Sequence, residues 1–276
     1  MDKRVLTIQD ISCIGQCSLT VALPIISACG IETAILPSSV LSNHTAPGFN
    51  GFTFHDLTSE MPLILKQWQK NNTHFDAFYT GYVSKAQIPL ILDIIQKTGK
   101  SDSLKIVDPV MADNGKLYSG FDSDFPSEML KLCQNADFIL PNLTEAALLL
   151  GEDYVGDNYN QNYIEQLCAR LHKKTNSKNI IITGVSFEKS KLGVAVYDAK
   201  TMNFYFTEKL PASMHGTGDV FASAFTGGLL SGKTPLEAAS LAADFVVLAM
   251  KKTLDDSEHW YGVKFEKALP ELIKRI

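Results

Sequence analysis

His215-Gly216-Thr217-Gly218-Asp219-Val220-Phe221-Ala222-Ser223-Ala224 runs, after Phe225-Thr226, straight into Gly227-Gly228-Leu229-Leu230-Ser231-Gly232-Lys233-Thr234. Two glycine motifs thus stand in tandem, and the topology depends on which of them is an anion loop. The second fits the phosphate-loop pattern G-x4-G-K-[ST], which requires a strand before it and a helix after it. The residues before it, Asp219–Thr226, are small and apolar and read as a helix. Gly232 fits the left-handed end of that helix. Thr234-Pro235-Leu236-Glu237 fits a capping box with proline at the first helical position. The second motif is therefore read as a connection between two helices. In the first motif, Gly216 and Gly218 let the backbone turn tightly and approach a ligand closely. A helix starting near 217 would aim its unpaired amides and positive dipole end into that turn, which makes an anion site. Asp219 is an odd companion for an anion unless it takes a proton from a hydroxyl that attacks a phosphate. The plainer reading is an ordinary loop with an acid in the first helical turn.

Working outward, short apolar runs alternate with longer amphipathic ones. Strands are predicted at Val5–Gln9, Thr33–Leu36, Ala77–Thr80, Lys105–Asp108, Phe138–Pro141 and Asn179–Thr183. Several are continuously apolar, as strands covered on both faces are. Helices are predicted near 58–71, 84–98, 124–134, 143–150 and 161–175, with three more at 218–231, 235–252 and 263–275. Leu192–Tyr197 and Asn203–Thr207 read as an antiparallel edge hairpin joined by Asp198-Ala199-Lys200. The alternation predicts an α/β, mostly parallel, doubly wound sheet. No linker, repeat or low-complexity tract interrupts it, so residues 1–276 are expected to form a single domain.

Composition narrows the partners. The 276 residues carry a net charge of −5, with 45% hydrophobic and 20% charged residues, which is ordinary globular usage. That balance gives no electrostatic case for nucleic acid or an anionic membrane as partner. Cys13, Cys17, Cys29, Cys133 and Cys168 form no CxxC pair, and no secretory leader is recognised, so reduced thiols in a cytosol are expected. The longest apolar stretch, Ala238–Met250, contains Asp244 and is too short to span a bilayer.

In an open α/β sheet, ligands bind beyond the carboxyl ends of the strands. Polar residues gather there repeatedly: Gln9-Asp10, Gly81-Tyr82, Asp108-Pro109-Val110-Met111-Ala112-Asp113, Pro141-Asn142-Leu143-Thr144-Glu145 and Thr183-Gly184. Each has a bland local explanation, Asp108-Pro109 as a turn and Asn142 with Glu145 as a helix cap. Five such clusters at one sheet edge point instead to a site. Asp108, Asp113 and Glu145 are three acids that could gather round a divalent cation and its waters, the coordination magnesium favours.

With Val5-Leu6-Thr7-Ile8-Gln9, Ser42-Asn43-His44-Thr45 and Ile182-Thr183-Gly184 added, these motifs follow one another in the order of a known family. The chain resembles the ribokinase-like small-molecule kinases, and within them the pyridoxal (vitamin B6) kinase branch. The resemblance covers nearly the whole chain and implies a three-layer α/β/α sandwich. It implies ATP-dependent phosphorylation of a hydroxymethyl group, with Mg2+ and room for a monovalent cation (K+), by a cytoplasmic homodimer. By the same resemblance Asp219 is the catalytic base, and the amides of Gly216, Thr217 and Gly218 form the anion hole for the transferring phosphate. Asp113, Asn142, Glu145, Thr183 and Gly184, with Gly216 and Gly218, fall to the nucleotide. Asp108 and Glu145 fall to the metal, with Asp108 and Asp113 near the phosphates and the monovalent cation. Asp10, Thr45, Tyr82 and Asp219 fall to the substrate.

One departure stands out: B6 kinases commonly carry serine where this chain has Asp10. Kinases of hydroxymethylpyrimidine share the scaffold and a similar heterocyclic alcohol, and are the alternative. A nucleotide-binding module without turnover is the second alternative, disfavoured because base, anion hole and metal motif are all intact. Ala112–Phe125, rich in Gly, Asp and Ser, is expected to be a flap. Cys13 and Cys17 are expected to be packed thiols, His44 and His215 to make structural hydrogen bonds, and Trp68 and Trp260 to pack.

Overall fold

The computed structural model describes residues 3–46 and 48–276. In chain order the elements begin β1 (Arg4–Ser12), α1 (Leu19–Ala28), β2 (Glu32–Leu41), β3 (Phe54–Asp56), α2 (Met61–Lys70), β4 (Phe75–Thr80), α3 (Ile88–Thr98) and β5 (Gly99–Val107). A second run follows: β6 (Ala112–Asp113), β7 (Lys116–Leu117), α4 (Phe125–Cys133), β8 (Phe138–Ile139), α5 (Leu143–Leu150), α6 (Gln161–Thr175), β9 (Asn179–Val185), β10 (Lys191–Tyr197) and β11 (Met202–Glu208). The chain closes with α7 (Thr217–Leu230), α8 (Pro235–Thr253) and α9 (Leu269–Arg275). It divides into two compact units, one of residues up to Ser103 with 210–276, the other Leu104–Lys209, and strand β5 runs through both.

In the first unit the strand order is β3-β2-β1-β4-β5. Strand β1 pairs in parallel with β2 on one side and β4 on the other. The chain thus reverses its direction of progress across the sheet at β1, and the crevice between the carboxyl ends of β1 and β4 is a switch point of the kind where ligands bind. Val5, Leu6, Ile8, Ala77 and Phe78 are fully buried. Alternate residues of β1 point to opposite faces, so burial at every position from Val5 to Asp10 means both faces are covered. The strand register slips near its end: Gln9 lies opposite Pro37 but Ile11 opposite Val40. The extra residue in β2 is a bulge beside Asp10, the kind of irregularity that re-aims side chains next to sites.

Helix α7 packs between α1 and α8, and its glycines make that contact close. A side-chain carbon at Gly227 would collide with Cys29 Sγ, and one at Gly228 would press on Leu241 and Ala238. The helix then ends as its sequence implies. Gly232 has φ +100°, its N–H bonds the Leu229 carbonyl at 3.1 Å, and Lys233 N–H bonds the Gly228 carbonyl at 3.1 Å. That pair is a Schellman motif. Thr234 and Glu237 then cap α8 reciprocally, with Pro235 at its start. The second glycine motif is a helix junction.

In the second unit the order is β5-β8-β9-β10-β11, parallel as far as β9 and antiparallel beyond it. The edge hairpin is β10–β11, turned by Asp198, whose Oδ1 accepts the N–H groups of Lys200 and Thr201. The expected flap is more ordered than its composition implies. Strands β6 and β7 form a two-stranded hairpin about Asn114-Gly115, with φ +50° and +76°, the double left-handed turn that Asn-Gly favours.

Several boundaries differ from expectation. Strand β3, half of β2 and the first half of β5 lie beyond the predicted runs, because polar and proline residues in them break the apolar pattern. The predicted helix 263–275 becomes a short 3-10 turn and α9, since Pro270 restarts the helix. Among the described residues no helix is long and apolar enough to cross a membrane.

Candidate active site

In the first unit the site is built at the carboxyl ends of β1 and β4 and the start of α7. Gly216 caps α7 in the left-handed conformation, φ +77° and ψ 0°. The first helical bond runs from Val220 N–H to the Gly216 carbonyl, so the amides of Thr217, Gly218 and Asp219 precede the helical ladder. Gly218 is exposed and a side-chain carbon there would meet nothing. Packing within the protein therefore does not require a glycine there, and its bareness leaves the turn open to a ligand.

Asp219 lies in the first turn of α7, partly exposed as a residue but with protein around its carboxyl. Burial pushes its pKa up to about 7, further raised by Asp10 and partly offset by a hydrogen bond from Ser18 N–H. Asp10 is itself buried, and burial raises its pKa while the hydroxyls of Ser18 and Ser12 hold it down. Ser12 Oγ donates to Asp10 Oδ2 at 3.2 Å. Ser18 thus stands beside both acids and lowers the pKa of each. It stands at the cap of α1 with φ +51°, and its side chain makes no capping bond. Such strain persists where surrounding structure imposes it. Sequence reasoning missed Ser12 and Ser18; a serine before the apolar run Leu19–Ala22 was the available signal.

Tyr82, half-buried after β4, feels Asp10, which together with burial raises its phenol pKa. Gly81 before it lies so close to Gln9 that a side-chain carbon would sit 2.7 Å from Gln9 Oε1. Thr45 is exposed. His44 and His215 meet each other edge-on at 5.5 Å, and among the described residues His44 Nδ1 is buried with no hydrogen-bond partner, so the expected structural bond is not made there. Burial, and then His215, lower the His44 pKa to about 4. Cys17 is buried and its thiol pKa raised, whereas Cys13 is exposed, against expectation. Trp68 packs on Phe75; Trp260 lies against Phe49 but keeps 44% of its surface exposed.

In the second unit a further set of candidate residues gathers at the start of α5. Asn142 Oδ1 accepts Glu145 N–H and Glu145 Oε2 accepts Asn142 N–H, both at 2.9 Å, a reciprocal cap. Glu145 Oε1 reaches back to Met111 N–H at 3.1 Å, Asn142 Nδ2 to the Ala112 carbonyl at 2.8 Å, and Thr144 Oγ1 takes Gly115 N–H at 3.0 Å. The β6–β7 hairpin is thereby tied to α5. Burial raises the Glu145 pKa against these hydrogen bonds, and Asp113 raises it further. Asp113 sits exposed at the hairpin turn, its carboxylate on Asn114. Thr183 bridges to Asn142 across the ends of β8 and β9, and Gly184 follows with φ +76°. Asp108 is buried at the end of β5 and, with Glu145, acts electrostatically on Cys133.

Among the described residues no three His, Cys, Asp or Glu side chains lie close enough to hold a metal ion. Asp108, Asp113 and Glu145 therefore do not form the expected three-acid cluster, because Glu145 spends its oxygens on backbone amides and Asp113 on its own turn. The buried carboxylates of Asp108 and Glu145 remain oxygen donors of the kind that suits magnesium held mostly through waters.

Residues 52–263 match the phosphomethylpyrimidine kinase family. The pyridoxal kinase of Dictyostelium discoideum is 28% identical over 86% of this chain and 81% of its own. The pyridoxal kinase of Lactobacillus plantarum is 32% identical and superposes with a TM-score of 0.90 over 99% of this chain and 97% of that one. A Bacteroides thetaiotaomicron structure named for phosphomethylpyrimidine kinase, in a crystal form with pyridoxal, is 37% identical with a TM-score of 0.91, over 99% and 96%. The chain belongs to the phosphomethylpyrimidine kinase family, on the ribokinase-like fold that the pyridoxal kinases share.

Proposed function

We propose that this kinase transfers the γ-phosphoryl group of ATP to the 5′-hydroxymethyl group of a B6 vitamer, giving the 5′-phosphate and ADP. The observation that carries the reading is Asp219: a carboxyl whose pKa is lifted to about 7, set at the mouth of an amide-rich glycine turn. A general base poised near neutral pH can take the hydroxyl proton as the oxygen attacks phosphorus. The amides of Gly216, Thr217 and Gly218 stabilise charge on the transferring group. No covalent intermediate is needed, since phosphoryl transfer is chiefly positioning and charge stabilisation.

Asp10, Thr45 and Tyr82 complete the alcohol half. Asp113, Asn142, Glu145, Thr183 and Gly184 serve the nucleotide. Asp108, and Glu145 through water, would hold Mg2+, which when bound neutralises phosphate charge; Asp108 and Asp113 are the residues for a monovalent cation. We read the two units as parts of a single domain over residues 1–276, since β5 belongs to both and the reaction requires both sets of residues. A homodimer and a cytoplasmic setting belong to the same reading, and sedimentation of the purified protein tests the first.

The vitamer is favoured over hydroxymethylpyrimidine by the 37%-identical relative that carries pyridoxal under a pyrimidine-kinase name. The test is coupled ADP release with pyridoxal, pyridoxamine, pyridoxine and hydroxymethylpyrimidine. Turnover of the vitamers supports the reading. Turnover of hydroxymethylpyrimidine alone transfers it to the pyrimidine kinases, and no turnover at all leaves a binding module.

A further inference from the structure

Asp10, buried at the end of β1, and Asp219, in the first turn of α7, lie within electrostatic reach of one another, and Ser18 at the cap of α1 lowers the pKa of both. Ser12 donates its neutral hydroxyl to Asp10 Oδ2 at 3.2 Å, and Tyr82 lies within electrostatic reach from the end of β4. Among the described residues no lysine or arginine pairs with Asp10. Two carboxylates held this way, in a place with little water, cannot both ionise cheaply. A cation brought by the ligand would let them.

Resting on the B6 reading above, the chemistry of the vitamers says which cation fits. The 5-hydroxymethyl carbon and the 4-substituent sit on adjacent ring carbons, so a hydroxyl presented to Asp219 carries the 4-substituent beside it. The ring nitrogen lies across the ring from that substituent and does not share its position. We propose that Asp10 is the specificity-determining residue of the alcohol half and takes the 4′-ammonium of pyridoxamine beside the hydroxyl that Asp219 deprotonates. Pyridoxal, with a neutral aldehyde at this place, gains no ionic contact there.

The test compares kcat/KM for pyridoxamine and pyridoxal in the wild-type protein and in Asp10→Ser and Asp10→Asn. Wild type should use pyridoxamine at least as well as pyridoxal, and both variants should shift the ratio toward pyridoxal about tenfold, the scale of one charge-assisted hydrogen bond. Equal fractional losses for both vitamers would overturn the inference while leaving the B6 activity standing. A wild-type protein inactive on every vitamer would overturn the activity itself. Should the variants fail to fold, calorimetric binding to the wild-type protein decides. Pyridoxamine should bind about tenfold more tightly than 4-deoxypyridoxine, which has a methyl group in place of the ammonium-bearing arm, and equal affinities overturn the inference.

Discussion

Gly216 stands against the backbone of Gln16, so close that a side-chain carbon at 216 would collide with the Gln16 carbonyl oxygen. The contact locks the turn that opens α7 onto the segment between β1 and α1, from which Ser18 reaches Asp219. Gly216→Ala should therefore displace the amides of the turn as well as strain φ +77°. We expect a loss of about tenfold or more in kcat, with a Tm lowered by a few degrees. A variant with wild-type kcat would show that the turn does not set the geometry of transfer.

Asp219 is expected to be deprotonated when it works, so kcat/KM should fall as pH drops through about 7. Asp219→Asn should lower kcat by roughly two orders of magnitude or more and leave nucleotide affinity nearly unchanged. The same shift acts on stability. The folded state holds this proton up to about 7 against an ordinary value of 3.8, so wild type loses stability as pH rises from about 4 to about 7. The asparagine variant is spared that loss, and its Tm relative to wild type should be higher at pH 8 than at pH 4. A Tm difference independent of pH would remove Asp219 from the ionisation.

Lys233 belongs to a helix junction, with its N–H on the Gly228 carbonyl. Lys233→Ala should leave the rate within a few-fold of wild type in the ADP-release assay. Gly227→Val, by contrast, should destabilise by about 1–3 kcal/mol in urea unfolding, because the added carbons meet Cys29. A rate collapse in Lys233→Ala would mean that the lysine serves phosphate after all.

Glu145 holds Asn142 N–H with one oxygen and Met111 N–H with the other. Glu145→Ala should raise the magnesium concentration for half-maximal rate and cost about 1–3 kcal/mol of stability, since buried amides lose their acceptor. Glu145→Gln keeps one acceptor oxygen and should recover part of the stability but not the magnesium response. An unchanged magnesium dependence in both variants would leave Glu145 as a helix cap alone.

What could be read from the sequence was whatever rests on local rules. The helix junction at 231–237 followed from Gly232, Thr234, Pro235 and Glu237, because caps are decided within a turn or two of the chain. The alternation of apolar runs gave the α/β class and the β10–β11 hairpin, since a strand buried on both faces must be apolar throughout. The Asn114-Gly115 turn was equally local, but its two-residue strands are too short to show a period. Other features depended on residues far apart in the chain. Ser18 acts on both Asp10 and Asp219 only because the strand end, the cap of α1 and the start of α7 converge. The cap of Asn142 by Glu145 could be read from their spacing, but the hold of Glu145 on Met111 N–H, far back in the chain, could not. The acidity of Asp219 is the clearest case. Any chain with Asp at 219 carries the same carboxyl, but its pKa of about 7 comes from burial beside a second acid, and burial is a property of the folded arrangement alone.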